Sequence, residues 1–538
     1  MASREYSLSP FERFLSIFTK VRAGEGRSVA VLLLHAFLLM FAYYLIRPVR
    51  EALILTEGDA EFRSYAVAAQ AVLLMALIPL YGWLYRLQDN SLLIQRVNGI
   101  FIACLITFAA LGSAGVQFGF VFFVWASIFG VMVVAQFWAF ATDLFNVKSG
   151  QRLFAIIAVG VSAGAWLGAR TAGALFEWAG PHGLMLLAAA VLASTLLLSR
   201  WSEQAVPEES RSIPLESEAP KKQRWLGGFA IVVRDHYLVL IALLVILLNW
   251  ITATGEYVLS DWLVEVSLEQ GGEARQEFIG TFMADFFARI TLLGFLVQIL
   301  LVSRLIMALG LPVALLITPA IFFGGYLLIG FLPVFALIQW VLIVQKSLDY
   351  SLLNTTRNAL LLPTERSVKY EAKTAIDTFF YRMGDLLSAG SIFIGARVLD
   401  LPREQFIVLN TLLALAMVVL AWRIGREYAG RAKSPTFNLP PRAKEPIPDV
   451  VWRSGESLLH QVSPEAFVDA DPGDVLTLSA RCADGSPLPQ WLVFDAMTRT
   501  FRGRTWSEVQ SELVIEVVAS DFDGAVVTQT FTLRARGG

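Results

Sequence analysis

FWAFATDLFNVKSGQRLFAIIAVGVSAGAWLGA, residues 137–169, reads as an apolar helix with a polar end, a short basic turn, and a second apolar helix rich in small residues. DYSLLNTTRNALLLPTERSVKYEAKTAIDTFFYRMGDLLSAG, residues 349–390, repeats that order in the second half of the chain. Small residues at helical spacing let two helix backbones approach closely. A passage of this kind occurring twice implies two copies of one helical unit.

The surrounding sequence supplies the rest of each copy. A bilayer core about 30 Å thick needs about 20 apolar helical residues to cross it. Twelve such runs are read, at 29–50, 65–86, 96–117, 119–143, 152–176, 182–200, 238–260, 279–303, 307–331, 334–358, 373–397 and 404–424. With 56% hydrophobic and 16% charged residues over 538 positions, the chain is too apolar for a soluble globular protein. Its net charge of -2 gives no sign of a nucleic-acid partner. Cys104 and Cys482 make neither a disulfide framework nor a metal cluster, and no cofactor motif, catalytic triad or phosphate loop is visible. An enzyme is not expected.

Basic residues collect in one set of alternate loops: Arg86 and Arg96, Lys148 and Arg152, Lys221, Lys222 and Arg224, Arg304, then Arg357, Arg366 and Lys369. Such loops face the cytoplasm, which places both termini there. Arg63, Arg397 and Arg403 fall on the other side. The charged, proline-containing stretch after the sixth run separates two six-helix bundles. Parallel six-helix halves with a site between them are the layout of major facilitator transporters. The chain is therefore read as an amphipathic cytoplasmic segment (1–28), a first bundle (29–200), a cytoplasmic linker (201–237), a second bundle (238–425), a proline-rich linker (426–449) and a C-terminal β domain (450–538).

Residues three and four apart share a helix face. Tyr43, Arg47, Arg50 and Glu51 make such a stripe in the first helix, around Pro48. The stripe has two readings: guanidinium groups snorkelling to the outer headgroups, or side chains lining a central path, the usual place for ionisable groups in membrane helices. The second is preferred because other helices carry matching stripes. The seventh has Asn249, Thr252, Glu256 and Ser260; the tenth has Lys346, Asp349, Tyr350, Asn354 and Arg357; the eleventh has Lys373, Asp377, Arg382 and Asp385; the eighth has Asp285 and Arg289. Asp285 with Arg289 and Lys373 with Asp377 also read as pairs that neutralise each other within a helix.

YYLIRPVREALILTEG, the 137–169 passage and LNTTRNALLLPTERSVKYEAKTAIDTFFYRMGD resemble the ATP/ADP translocase family of plastids and intracellular bacteria and its relatives in free-living bacteria, over about residues 27–425. The resemblance implies a twelve-helix carrier that exchanges nucleotides through a charged central site. It places Arg50 where the translocases have a functional Lys, Glu256 on their acidic residue of the seventh helix, and Lys373 and Asp377 on their Lys and Asp at the start of the eleventh. Two positions depart: Ala126 stands where the translocases carry a glutamate, and Asp385 where a basic residue is usual.

Arg47, Arg50, Lys346, Arg357, Lys373 and Arg382 are roughly balanced by Glu51, Glu256, Asp261, Asp285, Asp349, Asp377 and Asp385. A multiply charged phosphate favours an uncompensated basic cluster. A free-living cell would also lose by exporting ATP. The leading reading is exchange of a nucleotide-like or other small organic anion. The alternatives are a proton-coupled carrier of a less charged metabolite or lipid-like amphiphile, with Glu256 or Asp349 taking the proton, and a non-transporting receptor or assembly subunit with the C-terminal β domain as docking module. The partners expected are a small anionic substrate, membrane lipid and, through that β domain, a protein.

Residues 450–538 alternate in short strands such as VLTLSA, QWLVFD and LVIEVVAS, separated by turn signals. A seven-strand immunoglobulin-like sandwich fits. DADPGDVLTLSARCADGSPLPQWLVFDAMTRTFRGRT resembles cadherin-like domains of the dystroglycan type, which implies a protein- or carbohydrate-binding module. Asp469, Asp471, Asp521 and Asp523 have the oxygens of a calcium site but read as turn residues. The resemblance points outside the cell and the basic loops point inside; the loops are preferred because several agree.

Overall fold

The structure is a computed structural model that describes residues 12–13, 24–85, 90–145, 147–206, 225–364, 366–431, 440–453, 457–469, 476–504, 512–521 and 525–536. The chain divides into two units: Met1–Leu362 with Ser367–Ala429, which holds the membrane helices, and Gly430–Gly538 with Pro363–Arg366, which holds the strands.

In the helical unit, α1 (Glu25–Glu57) runs unbroken past Pro48. Asp59 then opens α2 (Ala60–Tyr85) by accepting from the Phe62 amide at 2.7 Å, satisfying one of the free N–H groups at a helix start. Next come α3 (Asn90–Ser113) and α4 (Gly119–Leu144). The helix Val147–Ala205 is broken at Gly180, whose φ of 63° and ψ of −179° are followed by Pro181. Only glycine takes that conformation at little cost, so the chain forms two arms, α5 (147–179) and α6 (181–205). After α7 (Trp225–Arg234), Asp235 caps α8 (His236–Ser267).

The second half contains π turns. α9 runs from Gly272–Val297 through the turn Gln298–Val302 into Ser303–Leu309, and Gly310 at φ 76° ends it. α10 is Leu311–Phe331. α11 joins Phe335–Leu348 and Asn354–Leu360 through the turn Asp349–Leu353. α12 joins Arg366–Ala375 and Tyr381–Ile392 through Ile376–Phe380, and closes in Phe393–Val398. α13 is Arg403–Arg431. Among the described residues, nine helices are long and apolar enough to cross a membrane, with the two arms of Val147–Ala205 counted together. The runs expected at 334–358 and 373–397 fall on α11 and α12, which are outside that count because polar and ionisable residues interrupt their apolar stretches.

The repeated passage packs as its small residues require. Gly160 and Gly168 of α5 sit so close to α1 that a Cβ on either would lie 2.5 Å from the carbonyl oxygen of Leu33 or Phe41; Gly164, between them, meets Phe37. In the second half Gly384 of α12 abuts Ile246 and Asn249 of α8. Hydrogen bonds reinforce that contact, from Trp250 to Ser391 at 3.0 Å and between Thr254 and Ser388 at 2.8 Å. Thus α1 meets α5 as α8 meets α12, seven helices later with the short α7 included.

Some boundaries move. The linker expected over 201–237 gives residues 201–205 to α6, contains α7, and ends where α8 begins; 207–224 lie outside the described residues. The linker expected at 426–449 likewise begins inside α13 and contains the first strand, while most of the 1–28 segment lies outside the described residues. Arg152, expected as a loop cation, forms a two-pronged bond to the buried Glu25 at 2.8 and 3.1 Å, tying α5 to the start of α1.

The strand unit comprises β1 (Arg442–Ala443), β2 (Val450–Arg453), β3 (Ser457–Gln461), β4 (Phe467–Val468), β5 (Thr477–Cys482), β6 (Leu492–Asp495), β7 (Thr500–Arg504), β8 (Glu512–Ser520) and β9 (Val526–Arg536). Seven of them make two sheets, β2-β9-β8-β5 and β3-β7-β6, and the short β1 and β4 pair separately. β2 runs parallel to β9; all other pairs are antiparallel. Alternation along β8 turns Ile515, Val517 and Ala519 into a core with Trp452, Leu458, Phe501 and Phe531, as expected where one sheet face packs on another. Asp521 receives the Ala525 amide at 2.8 Å, holding a turn. Asp471 and Asp523 lie outside the described residues.

Candidate substrate site between the two halves

Four helices converge on one buried chain of charges. On α1, Arg50 donates to the Glu51 carboxylate from Nε at 3.1 Å and Nη2 at 2.9 Å, and from Nη1 to Ser127 of α4 at 2.8 Å. Arg63 of α2 donates to the other Glu51 oxygen at 2.6 Å and, through Nη2, to Glu256 of α8 at 2.9 Å. Lys346 of α11 takes the remaining Glu256 oxygen. The Glu51 side chain has no exposed surface and that of Arg63 has 4%. Burying such charges is costly unless every one is paired, and here each carboxylate bonds two cations. The ring of Phe123 lies beneath the Arg50 and Arg63 guanidiniums at 4.6 and 5.6 Å, a favourable position for a cation.

Arg47 lies beside this chain. Its guanidinium donates to Tyr44 at 2.8 Å and Tyr350 at 3.4 Å and rests 4.1 Å above the ring of Phe287 on α9. Tyr350 stands one turn from Lys346, so the two sets adjoin. Tyr43 packs edge-on against Tyr44 and covers Gly130 of α4.

Of the residues read as lining a central path, Arg47, Arg50, Glu51, Glu256, Lys346 and Tyr350 come together. Asp349 follows on α11, within the electrostatic reach of Lys346 and Arg357. The others go elsewhere. Asn249 donates to Val245 of its own helix and packs against Gly384. Arg382 pairs with Asp385 at 3.0 Å. Asn354 accepts from Asn358 on an exposed face. The Lys373–Asp377 pair does not form: Asp377 faces Arg357 at 3.4 Å, and Lys373 is exposed. The reason is local, because the π turn at Ile376–Phe380 widens the spacing from four residues per contact to five. On α11, Arg357 stands three helical turns beyond Lys346, about 16 Å along the axis, too far to join it.

The charge balance changes accordingly. Asp261 pairs with Arg403, Asp285 with Arg289 and Arg170, Asp377 with Arg357, and Asp385 with Arg382. What remains at the junction is Arg47, Arg50, Arg63 and Lys346 against Glu51, Glu256 and Asp349, an excess of one cation. The central set is cationic, not balanced. Arg63 is the residue that sequence reasoning missed; its visible signal was a basic residue where the loop pattern had none.

The hydrogen bonds and ion pairs described between the halves lie from this depth to the end where α1 turns into α2. They include Arg275 to the Leu55 carbonyl at 3.1 Å, Gln276 to Thr56 at 3.4 Å, and Arg170 to Asp285 at 3.6 Å.

More than half of the chain, residues 117–426, matches the family model described as TLC ATP/ADP transporter. The chain belongs to the TLC ATP/ADP transporter family. Residues 440–536 match a second model, described as Putative Ig domain, in agreement with the sandwich. ADP,ATP carrier protein 1 of Chlamydia muridarum is 24% identical, with 71% of this chain and 84% of that protein aligned. ADP,ATP carrier protein 2 of Chlamydia trachomatis is 23% identical over 79% and 92%. Among solved structures, this transporter resembles a bacterial homologue of the human lysosomal transporter Spinster in an inward-facing, unoccupied conformation (TM-score 0.52, 14% identity, 78% of this chain and 100% of that one). It also resembles the nucleoside transporter NupG (TM-score 0.53, 12% identity, 76% and 99%). The helical unit thus has the fold of a major facilitator transporter, and the chain is a multi-pass membrane protein.

Proposed function

We propose that this chain is a twelve-span alternating-access carrier that exchanges a nucleotide-like organic anion across the bacterial inner membrane, with both termini in the cytoplasm. The observation that carries the reading is the bridge Glu51–Arg63–Glu256–Lys346, which joins the halves through charge alone. An entering phosphate competes with Glu51 and Glu256 for Arg63 and Lys346. Guanidinium groups bind phosphate through two parallel hydrogen bonds, and Arg47 and Arg50 stand next to the exchange. Binding of the anion therefore loosens the bridge that keeps one end shut. By the expected orientation that end faces the periplasm. Restoring the bridge without substrate costs the contacts just made, so return of the empty carrier is slow and counter-substrate is needed. That is exchange.

A proton-coupled cycle is the second reading, because Glu256 holds both Arg63 and Lys346 and a single proton there would weaken both bonds. Asp349 is the second candidate for the proton. Reconstituted vesicles separate the two mechanisms. Exchange predicts that labelled nucleotide enters about tenfold faster when unlabelled nucleotide is inside, with little response to a pH gradient. Proton coupling predicts that Glu256→Gln loses gradient-driven uptake and keeps counterflow. If wild-type vesicles show neither counterflow nor gradient-driven uptake, both fail and a docking or receptor role becomes the reading.

A further inference from the structure

Behind the second-half side of the bridge lies a buried polar cluster. Glu256 is preceded on α8 by Gly255, and Lys346 on α11 by Gln345, and both of these neighbours face the interior of the second half. There Tyr326 of α10 and Asn410 of α13 both donate to the Ile251 carbonyl, at 3.3 and 3.1 Å, one turn before Gly255. The Tyr326 hydroxyl lies where a side chain on residue 255 would begin, only 2.1 Å from the position of a Cβ, and Leu342 of α11 closes the same spot. Gln345 reaches toward that hydroxyl. Tyr326, Gln345 and Asn410 have no exposed surface.

Stability alone does not explain this cluster. Among the described residues neither amide atom of Gln345 completes a hydrogen bond, and the Asn410 side-chain oxygen is also without one. Burying an amide unpaired is costly, and an apolar residue of similar shape removes that cost. The location supplies another reason. Glu256 and Lys346, two residues of the bridge Glu51–Arg63–Glu256–Lys346, stand on the turns of α8 and α11 that the cluster clasps from behind. Charged groups that must meet in one geometry need their own helices fixed by packing and hydrogen bonds. The fixed Ile251–Gly255 turn sets the direction in which Glu256 leaves α8. Contact of Gln345 with Tyr326 sets the rotation of α11 that aims Lys346.

We propose that Tyr326, Gln345 and Asn410 are positioning residues for transport, which hold Glu256 and Lys346 toward Arg63 and so set how firmly the empty carrier stays closed at the bridged end. The inference rests on the exchange reading above. A loosened clasp weakens the bridge, lets the empty carrier return without counter-substrate, and turns exchange into leak. An unpaired Gln345 is thus a loss of stability accepted for the sake of coupling.

The test uses the purified full chain in reconstituted vesicles and measures the ratio of labelled nucleotide uptake with and without unlabelled nucleotide inside, together with thermal unfolding of the same proteins. Gln345→Leu is expected to lower the ratio from about tenfold to about twofold, while its unfolding midpoint stays level or rises. Tyr326→Phe, which removes only the hydroxyl, is expected to lower the ratio in the same way. A role in structure alone predicts the reverse: a lower unfolding midpoint, less active carrier and an unchanged ratio, and that result overturns the proposal. Should wild-type vesicles show no stimulation by internal nucleotide, the exchange reading fails and a thermal cycle decides the inference by itself. Tyr326→Phe and Glu256→Gln are then expected to be non-additive, with loss of the hydroxyl costing less once Glu256 is uncharged. Strictly additive shifts overturn the proposal.

Discussion

Arg63 joins the halves through two carboxylates, one on its own side and one 193 residues away in the chain. Removing a partner from a buried pair strands a charge, at a cost of about 3–5 kcal/mol. Arg63→Gln is therefore expected to lower thermal stability sharply and to abolish transport, with partial recovery in Arg63→Lys. The double variant Arg63→Gln/Glu256→Gln should be less stable than Arg63→Gln alone, since Glu256 still holds Lys346 when Arg63 is gone and its own loss leaves Lys346 buried without a carboxylate. Thermal unfolding of the four proteins closes that cycle, and strictly additive losses would show that the bridge carries no coupling. Arg47, Arg50 and Glu51 were legible in the sequence because three charges interrupt one apolar helix. Arg63 was not, because it stands at a helix start beside a loop and its second partner belongs to the other half.

α5 shows how little side chain a helix contact can need. Gly160, Gly164 and Gly168 form one stripe that lies on the α1 backbone at Leu33, Phe37 and Phe41. Gly164→Val forces atoms into that seam and should cost ~1–3 kcal/mol or more, read as a lower midpoint of thermal unfolding. Gly390→Ala in α12 is the control. It has open space around its Cα and should be neutral or raise stability by up to ~1 kcal/mol through helix propensity. Equal losses in both variants would refute a special role for the seam. The stripe was visible in the sequence as small residues four apart. The π turns of α11 and α12 were not, and the one in α12 moved Lys373 and Asp377 off the faces that regular spacing assigned.

The molecule as a whole combines a major facilitator body with an Ig-like sandwich that follows it in the chain. In the proposed topology, with twelve spans and the basic loops inside, this sandwich lies in the cytoplasm, whereas the resemblance of its sequence to cadherin-like domains points the other way. A reporter fused after Gly538 decides the matter: activity is expected only from the form that works in the cytoplasm. Periplasmic activity would mean an odd number of crossings and would fall on α11 or α12, the two segments least apolar. The number of crossings is thus a question about the same helices that supply Lys346 and the Arg357–Asp377 pair.

By itself the sequence determined the solvent, the duplicated helical architecture, the strand unit and the stripe on α1, because these depend on composition and on periods of two to four residues along one chain segment. Only the tertiary structure decided which charges meet. Arg63, Glu256 and Lys346 come from three helices in two halves, and Asp261 and Asp377 were removed from the central balance by partners on other helices, whereas Asp285 and Asp385 have partners three or four residues away on their own. A buried charge takes the partner that packing brings within about 3 Å; sequence distance does not enter that choice.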